Sequence, residues 1–277
     1  MIIFPNCKIN LGLNILSKRK DGFHDLETIF FPVDLHDALE IIPAQNKTEL
    51  LVTGISTGNT ADNLCLKAFY LLKKDYPQLP EIKMHLHKTI PLGAGLGGGS
   101  ADAAFALHLL NKKFNLTIPE KRMFGYALQL GSDCPFFLFN KPCLATGRGE
   151  ILEEVNISLS AYKILLIYPG IHISTAEAFG HIQPAFPAQK IKEIIQQPVE
   201  NWKEALHNDF EKYVFEKSPG IKKIKQDLYK AGAVYAAMSG SGSTVYGIFK
   251  KDAKIKYVSN PAYFHKLLEI PGSGNGF

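Results

Sequence analysis

The chain has no apolar run near the ~18–20 residues that a membrane-spanning helix requires, so it is not read as a membrane protein. Cysteine is scarce. Cys7, Cys65, Cys134 and Cys143 show neither CxxC spacing nor a neighbouring histidine cluster. That pattern argues against a zinc site and favours reduced, partly buried thiols over a disulfide framework. Dense Lys/Arg blocks are missing too: Lys18-Arg19-Lys20 is short enough to be a solvated hairpin tip, and the formal net charge is only +5. No nucleic-acid partner is therefore expected, although a mild positive field suits an anionic small substrate. Ahead of Pro5 and Lys8 stands only Met-Ile-Ile-Phe, too short for a signal-peptide core, so a cytoplasmic location is the expectation. The 277 residues, 46% hydrophobic and 21% charged, have ordinary globular composition and suffice for one large or two moderate domains.

Glycine, by contrast, is concentrated. Ile90 to Ala104 reads IPLGAGLGGGSADAA, with five glycines in the seven positions 93–99 before an alanine-rich run. Gly93, Gly95 and Gly98 satisfy GxGxxG, but a dinucleotide fold places an acidic residue about 20 positions further on. Here Asn111 to Leu116 holds no acid and no strand of the right length. Ser100 follows glycine rather than lysine, which excludes a Walker loop, and the HRD and DFG motifs of protein kinases are absent. What is left is strand, glycine-rich loop, helix. Such a loop turns backbone N–H groups and the positive end of a helix dipole toward an anion, with no Cβ to keep phosphate oxygens away. Phosphate binding is the expectation, because a crossover that binds nothing needs only one or two glycines. Ser100 is placed either to cap the helix or to help hold a metal-bound phosphate.

Periodicity supplies the surroundings. Cys7 to Leu16 alternates Ile9, Leu11, Leu13 and Ile15 with Lys8, Asn10 and Asn14, predicting a half-buried strand with Lys8 on its outward face. Lys18 to Gly22 is the turn; Thr28–Leu35, Leu39–Ile42, Leu50–Val52 and Ile82–Ile90 are further strands. Helices are predicted over Asp62–Lys74, Ala101–Leu110 and Pro119–Leu130, the last stopped by Gly131. The apolar Pro135–Phe139 reads as a buried strand and Tyr162–Tyr168 as another. Ile191–Gln196, Trp202–Phe215 and Ile221–Lys230 are helical, with strands on both sides of a second Gly/Ser cluster at Ser239–Ser243. A composition shift near residue 160 marks a domain boundary, and the closing residues 271–277 read as a flexible tail.

With these blocks in view the chain resembles the GHMP kinase superfamily, whose hallmark is a Pro-x-x-x-Gly-Leu-Gly-Ser/Gly-Ser loop. Here that loop is Pro91-Leu92-Gly93-Ala94-Gly95-Leu96-Gly97-Gly98-Gly99-Ser100. Within the superfamily it is most similar to the branch that phosphorylates a cytidine diphosphate-linked methylerythritol. The blocks CKINLGLNIL (7–16), KDGFHDLETIF (20–30) and GSDCPFF (131–137) carry that likeness, and KDGFH is the specific one. PGIHISTAEAF (169–179), NDFE (208–211) and MSGSGSTVYGIF (238–249) follow in the expected order. The resemblance implies an α+β, two-domain fold: residues 1–158 like domain 2 of ribosomal protein S5, and residues 159–277 ferredoxin-like. It implies an ATP- and Mg²⁺-dependent transfer to the substrate's 2-hydroxyl, in the non-mevalonate isoprenoid pathway, by a monomer or homodimer.

Residue by residue, the resemblance pairs Lys8 with Asp133 at the acceptor hydroxyl, Asp133 acting as base or as electrostatic positioner. Without it, Lys8 reads as a surface strand lysine and Asp133 as a capping or turn aspartate. Asn63 and Lys88 match positions near the adenine, Lys88 alternatively being a solvated strand lysine; Pro91, Gly93–Gly99 and Ser100 match the ATP loop. Phe23 and Phe179 are implied to sandwich the cytosine while His24 hydrogen-bonds its edge. Phe23 stands where the family usually has tyrosine, so a hydroxyl is lost. Asn10 and Thr175 look like polar contacts to the methylerythritol or diphosphate. Ser239–Thr244 matches the third family motif, with Gly240 and Ser241 at the substrate and Gly240 and Gly242 as tight points. Asp102 reads as a structural acid matched to the helix dipole. His85 and His87 share a strand face read as exposed. The weaker alternatives are another small-molecule kinase of the superfamily, an NAD-binding oxidoreductase supported by the glycine loop alone, and an S5-like RNA-binding module.

Overall fold

The computed structural model describes residues 1–56, 62–258 and 260–270; the expected tail at 271–277 lies outside them. In chain order the elements begin with β1 (Ile2–Ile3), β2 (Asn6–Lys18), β3 (His24–His36), β4 (Ala38–Pro43) and β5 (Glu49–Gly54). Then come α1 (Leu64–Asp75), β6 (Ile82–Lys88), α2 (Gly98–Lys113), α3 (Glu120–Leu130) and α4 (Cys134–Phe139). β7 (Cys143–Gly147), β8 (Ile151–Glu154), β9 (Tyr162–Tyr168), α5 (Thr175–Gly180) and α6 (Ile191–Ile194) follow. The rest are α7 (Trp202–Ala205), α8 (Phe210–Lys217), α9 (Pro219–Lys230), β10 (Tyr235–Met238), β11 (Val245–Lys250) and β12 (Phe264–Glu269).

The chain forms two compact units that are not contiguous in sequence: residues 1–7, 35–92 and 97–140, and residues 8–34, 93–96 and 141–277. They do not follow the composition shift near residue 160, because residues 8–34 cluster with the C-terminal half. In the first unit the sheet has the order β1-β4-β6-β5, and α1, α2, α3 and α4 pack among themselves. β6 alternates strictly: Ile82, Met84, Leu86 and Lys88 are buried, whereas Lys83, His85 and His87 are exposed. The second unit carries two sheets, β2-β3-β7-β8 and β10-β11-β9-β12. Leu13 and Ile15 from β2, Ile167 from β9, Phe210, Ile221 and Leu228 from α8 and α9, and Val245 and Phe249 from β11 share its core. Among the described residues no helix is long and apolar enough to cross a membrane, and the four cysteines are buried and form no disulfide.

Three elements differ from expectation. Residues 134–139 form a helix, not a strand. An apolar run of six has no readable period, and Pro135 in the first turn with Asn140 at φ 50° just past the end supplies the start and stop of a helix. The helix expected over 202–215 is broken, because residues 206–209 are drawn onto β2 instead. There the Leu13 N–H donates to the His207 carbonyl at 2.8 Å, the Asp209 N–H to the Leu13 carbonyl at 2.9 Å, and the Ile15 N–H to Asp209 Oδ2 at 2.7 Å. Finally, β2 is buried on both faces, so Lys8, expected to face outward, is only 3% exposed.

Candidate active site

The glycine loop is built as its sequence requires. Gly93, Gly95 and Gly97 sit at φ 60°, 78° and 71°, in the left-handed region that favours glycine. Its front half, 93–96, is pinned inside the second unit. The Lys8 N–H donates to the Leu96 carbonyl at 3.0 Å and the Thr244 N–H to the Ala94 carbonyl at 3.1 Å. The Ser239 hydroxyl donates to the Gly95 carbonyl at 2.8 Å. A Cβ on Gly95 would lie 2.0 Å from the Ser239 carbonyl oxygen. The Ser239–Thr244 turn is therefore the brace of the loop. Asn208, the first residue of NDFE, holds that turn through two 2.8 Å bonds from Nδ2 to the Met238 and Gly240 carbonyls, a contact with no local sequence signal.

The rear half feeds α2 in the first unit. Gly97 is the N-cap, with no side-chain capping bond, so the reading of Ser100 as cap is corrected: it is the third helical residue. The N–H groups of Gly98, Gly99 and Ser100 have no acceptor within the helix and lie at the positive end of its dipole. Across from Ser100, the 131–134 turn brings Asp133 to the start of α4. Asp133 occupies the N-cap position without capping the helix, which removes the capping explanation for it. Its neighbour Cys134 is buried, and burial pushes the thiol up to about 12, against the pull of the Ser100 hydroxyl and with the help of the Asp133 charge.

In the second unit Lys8 is held rather than solvated. Its Nζ donates to Asn10 Oδ1 at 2.5 Å and lies 4.8 Å from the centre of the Phe30 ring. Asn10 is 2% exposed, and its Nδ2 donates to Thr28 Oγ1 at 3.0 Å. Its side chain thus links Lys8 to Thr28.

The expected base-recognition group divides into two pairs. His24 and Phe179 stack with centroids 4.9 Å apart and planes at 16°, and Phe210 meets Phe179 edge-on. Phe23 is exposed and carries the Arg148 guanidinium 4.6 Å from its ring centre. Arg148 was not anticipated, since nothing in the TGRGE turn announces a partner 125 residues earlier. Desolvation, then the Lys18 charge, holds His24 below its ordinary value. The ring is thus neutral at pH 7, able to donate from one nitrogen and accept at the other. The Thr175 and Ser241 hydroxyls lie 2.9 Å apart at the exposed start of α5.

Two residues expected near the nucleotide have partners within the protein. Asn63 caps α1, its Oδ1 accepting from the Cys65 N–H at 2.9 Å. Lys88 is not a solvated lysine: its side chain is fully buried, contacting Asp37 and, at 2.7 Å, Asp102. Its ammonium is thus enclosed by two carboxylates. Burial pulls Lys88 down, but the attraction of Asp102 and Asp37 outweighs it and leaves the group above its usual value. Asp102 is correspondingly a buried partner of Lys88 and not a simple dipole-matched acid. His85 and His87 do share an exposed face, the Thr53 hydroxyl standing 2.9 Å from one ring and 3.0 Å from the other.

A glycine-rich loop that opens a helix, with unpaired backbone N–H groups at the helix start, has the form of a phosphate-binding site. The family model for the GHMP kinases N terminal domain matches residues 63–141, and that for the GHMP kinases C terminal matches residues 190–264. The chain belongs to the GHMP kinases, and the α+β fold with two family domains is borne out. It is 50% identical over 268 residues to the 4-diphosphocytidyl-2-C-methyl-D-erythritol kinase of Bacteroides fragilis (strain YCH46), covering 95% of this chain and 97% of the relative. It is 49% identical over 267 residues to the kinase of the same name from Cytophaga hutchinsonii, covering 96% of each. A crystal structure of 4-(cytidine 5'-diphospho)-2C-methyl-D-erythritol kinase superposes with a TM-score of 0.78 at 30% identity, covering 90% of each chain. The Methanococcus jannaschii mevalonate kinase matches with a TM-score of 0.68 at 14% identity over 98% of each chain, a likeness of fold alone.

Proposed function

We propose that the chain transfers the γ-phosphoryl group of MgATP to the 2-hydroxyl of 4-diphosphocytidyl-2-C-methyl-D-erythritol. The observation that carries this reading is identity near 50% along almost the whole length to relatives bearing that name. The KDGFH block supports it, with His24 neutral and stacked on Phe179. Pro91, Gly93–Gly99 and Ser100 receive the ATP phosphates, with Mg²⁺ arriving as part of that substrate and Ser100 beside it. Lys8, oriented by Asn10, steadies charge on the acceptor oxygen as its proton leaves, and Asp133 receives that proton or positions the hydroxyl. Phe23, His24 and Phe179 take the cytosine; Thr175, Gly240 and Ser241 face the remainder of that substrate. The family's two domains run 1–158 and 159–277, a division supported by model matches that fall on either side of it. The enzyme works in the cytoplasm as a monomer or homodimer, without nucleic acid.

A coupled ADP-release assay tests the assignment, with the cytidyl substrate set against homoserine, mevalonate and galactose. Turnover with the cytidyl substrate alone is expected; comparable turnover with any control rejects the acceptor. On the same reading, Phe23→Ala raises KM for the cytidyl substrate about tenfold, as loss of one base–aromatic stack implies. KM for ATP stays unchanged, and steady-state kinetics in both substrates makes the comparison.

A further inference from the structure

The Asp37–Lys88–Asp102 cluster takes no part in the chemistry above, yet it touches the chain on both sides of the glycine loop. Just before the loop, Asp37 Oδ1 accepts the Thr89 N–H at 2.6 Å and the Ile90 N–H at 2.9 Å, while Oδ2 accepts from Lys88. Just after it, Lys88 Nζ donates to Asp102 Oδ2 on α2 at 2.7 Å. The helix start lies directly against this cluster: a Cβ on Gly98 would fall 2.8 Å from Ile90 Cγ2 and 3.4 Å from Lys88 Nζ. One buried group thus ties both ends of the loop.

Its charges do not balance. Two carboxylates share one ammonium, and the Lys88, Asp37 and Asp102 side chains are 0%, 0% and 5% exposed. Among the described residues Asp102 Oδ1 has no hydrogen-bond partner. An ionised oxygen left so is costly, whereas one added proton makes the cluster neutral. Asp102 also sits within the first turns of the helix whose N-terminus meets the phosphates.

We propose that Asp102 is the proton-carrying member of a latch that positions the glycine loop, and that docking of the nucleotide's phosphates draws a proton onto it. The proposal rests on the reading of the loop as the ATP site. Polyanionic phosphate beside α2 disfavours a second negative charge just below it. The titratable groups facing Asp102 are Lys88 from β6, Asp37 from the β3–β4 junction and the Cys65 thiol from α1, itself pushed well up by burial and then by Asp102. Burial raises Asp102 to about 7, opposed by the Lys88 charge and reinforced by Asp37. The raised carboxyl is therefore placed to take up a proton near neutrality.

Calorimetric titration of the full chain with Mg²⁺ and AMPPNP at pH 7, in buffers of different ionisation enthalpy, counts the protons exchanged. Wild type takes up about 0.5 proton more than Asp102→Asn; the difference cancels protons bound by the nucleotide itself. Equal proton counts with binding intact overturn the proposal alone. No nucleotide binding by wild type overturns the nucleotide reading as well. If the asparagine variant is too unstable to titrate, the carboxyl ¹³C signal of Asp102 in wild type decides. Its midpoint rises when AMPPNP binds, and an unmoved midpoint rejects the latch as proton-carrying. A purely structural cluster moves neither readout.

Discussion

Asp133→Ala and Lys8→Ala each lower turnover by about 10²–10⁴-fold, the range a positioned proton-transfer group contributes, while circular dichroism stays native. For Asp133 the separation of activity from folding is expected to be clean. It stands at the N-cap of α4 with no side-chain capping hydrogen bond, so capping is not what its carboxylate contributes to that helix. Lys8 is different, because it is buried and bonded to Asn10. Its removal leaves a buried amide oxygen short of a partner, at about 1–3 kcal/mol. Lys8→Met keeps the stem over Phe30, so the methionine variant separates loss of the ammonium and its hydrogen bond from loss of packing. Turnover and a thermal melt on the same preparations make the comparison. Near-normal turnover in a variant removes that residue from the mechanism.

Lys88→Met destabilises the protein by about 3–5 kcal/mol, the cost of leaving buried charge unpaired. Asp37 and Asp102 both lose the cation they share, and Asp37 still has the Thr89 and Ile90 N–H groups to satisfy. The triple variant Lys88→Met, Asp37→Asn, Asp102→Asn recovers most of that loss, because neutral replacement of a whole buried ion cluster is often nearly neutral. Denaturant unfolding measures both; a single variant as stable as wild type would falsify the account of the cluster. The pH dependence has a definite sign. Asp102 is raised from 3.8 to about 7 on folding, so the folded state binds more protons over that interval. Its contribution is fully present below about pH 4 and is lost as pH rises through 7. Asp102→Asn therefore gains stability relative to wild type between pH 4 and 7, and the gain levels off above.

The sequence carried the alternating strands and the glycine loop well, because period two and missing Cβ atoms are local properties. Tyr162–Tyr168 emerged with the bounds expected of it. Lys88 was legible and misread: Ile82, Met84 and Leu86 point inward, and the same parity puts position 88 with them. A lysine on the buried parity needs a buried acid, but nothing local says that Asp37, 51 residues back, supplies it. Lys8 escaped the same logic because β2 is covered on both faces, so its polar parity is buried as well. Arg148 over Phe23 and Asn208 beneath the Ser239 turn are long-range contacts with no periodic signature. The helix at 134–139 could have been found from its ends, since Pro135 and Asn140 are better evidence than its uniformly apolar interior.

Cys134 gives this corner of the protein a pharmacological character. Alkylating reagents attack the thiolate, and a buried thiol held at about 12 offers almost none at neutral pH. A covalent inhibitor aimed at the cysteine adjoining Asp133 would find it unreactive in the folded enzyme. Slow labelling at that sulfur would instead count the openings of α4, making the residue a timer for the loss of the turn that carries Asp133.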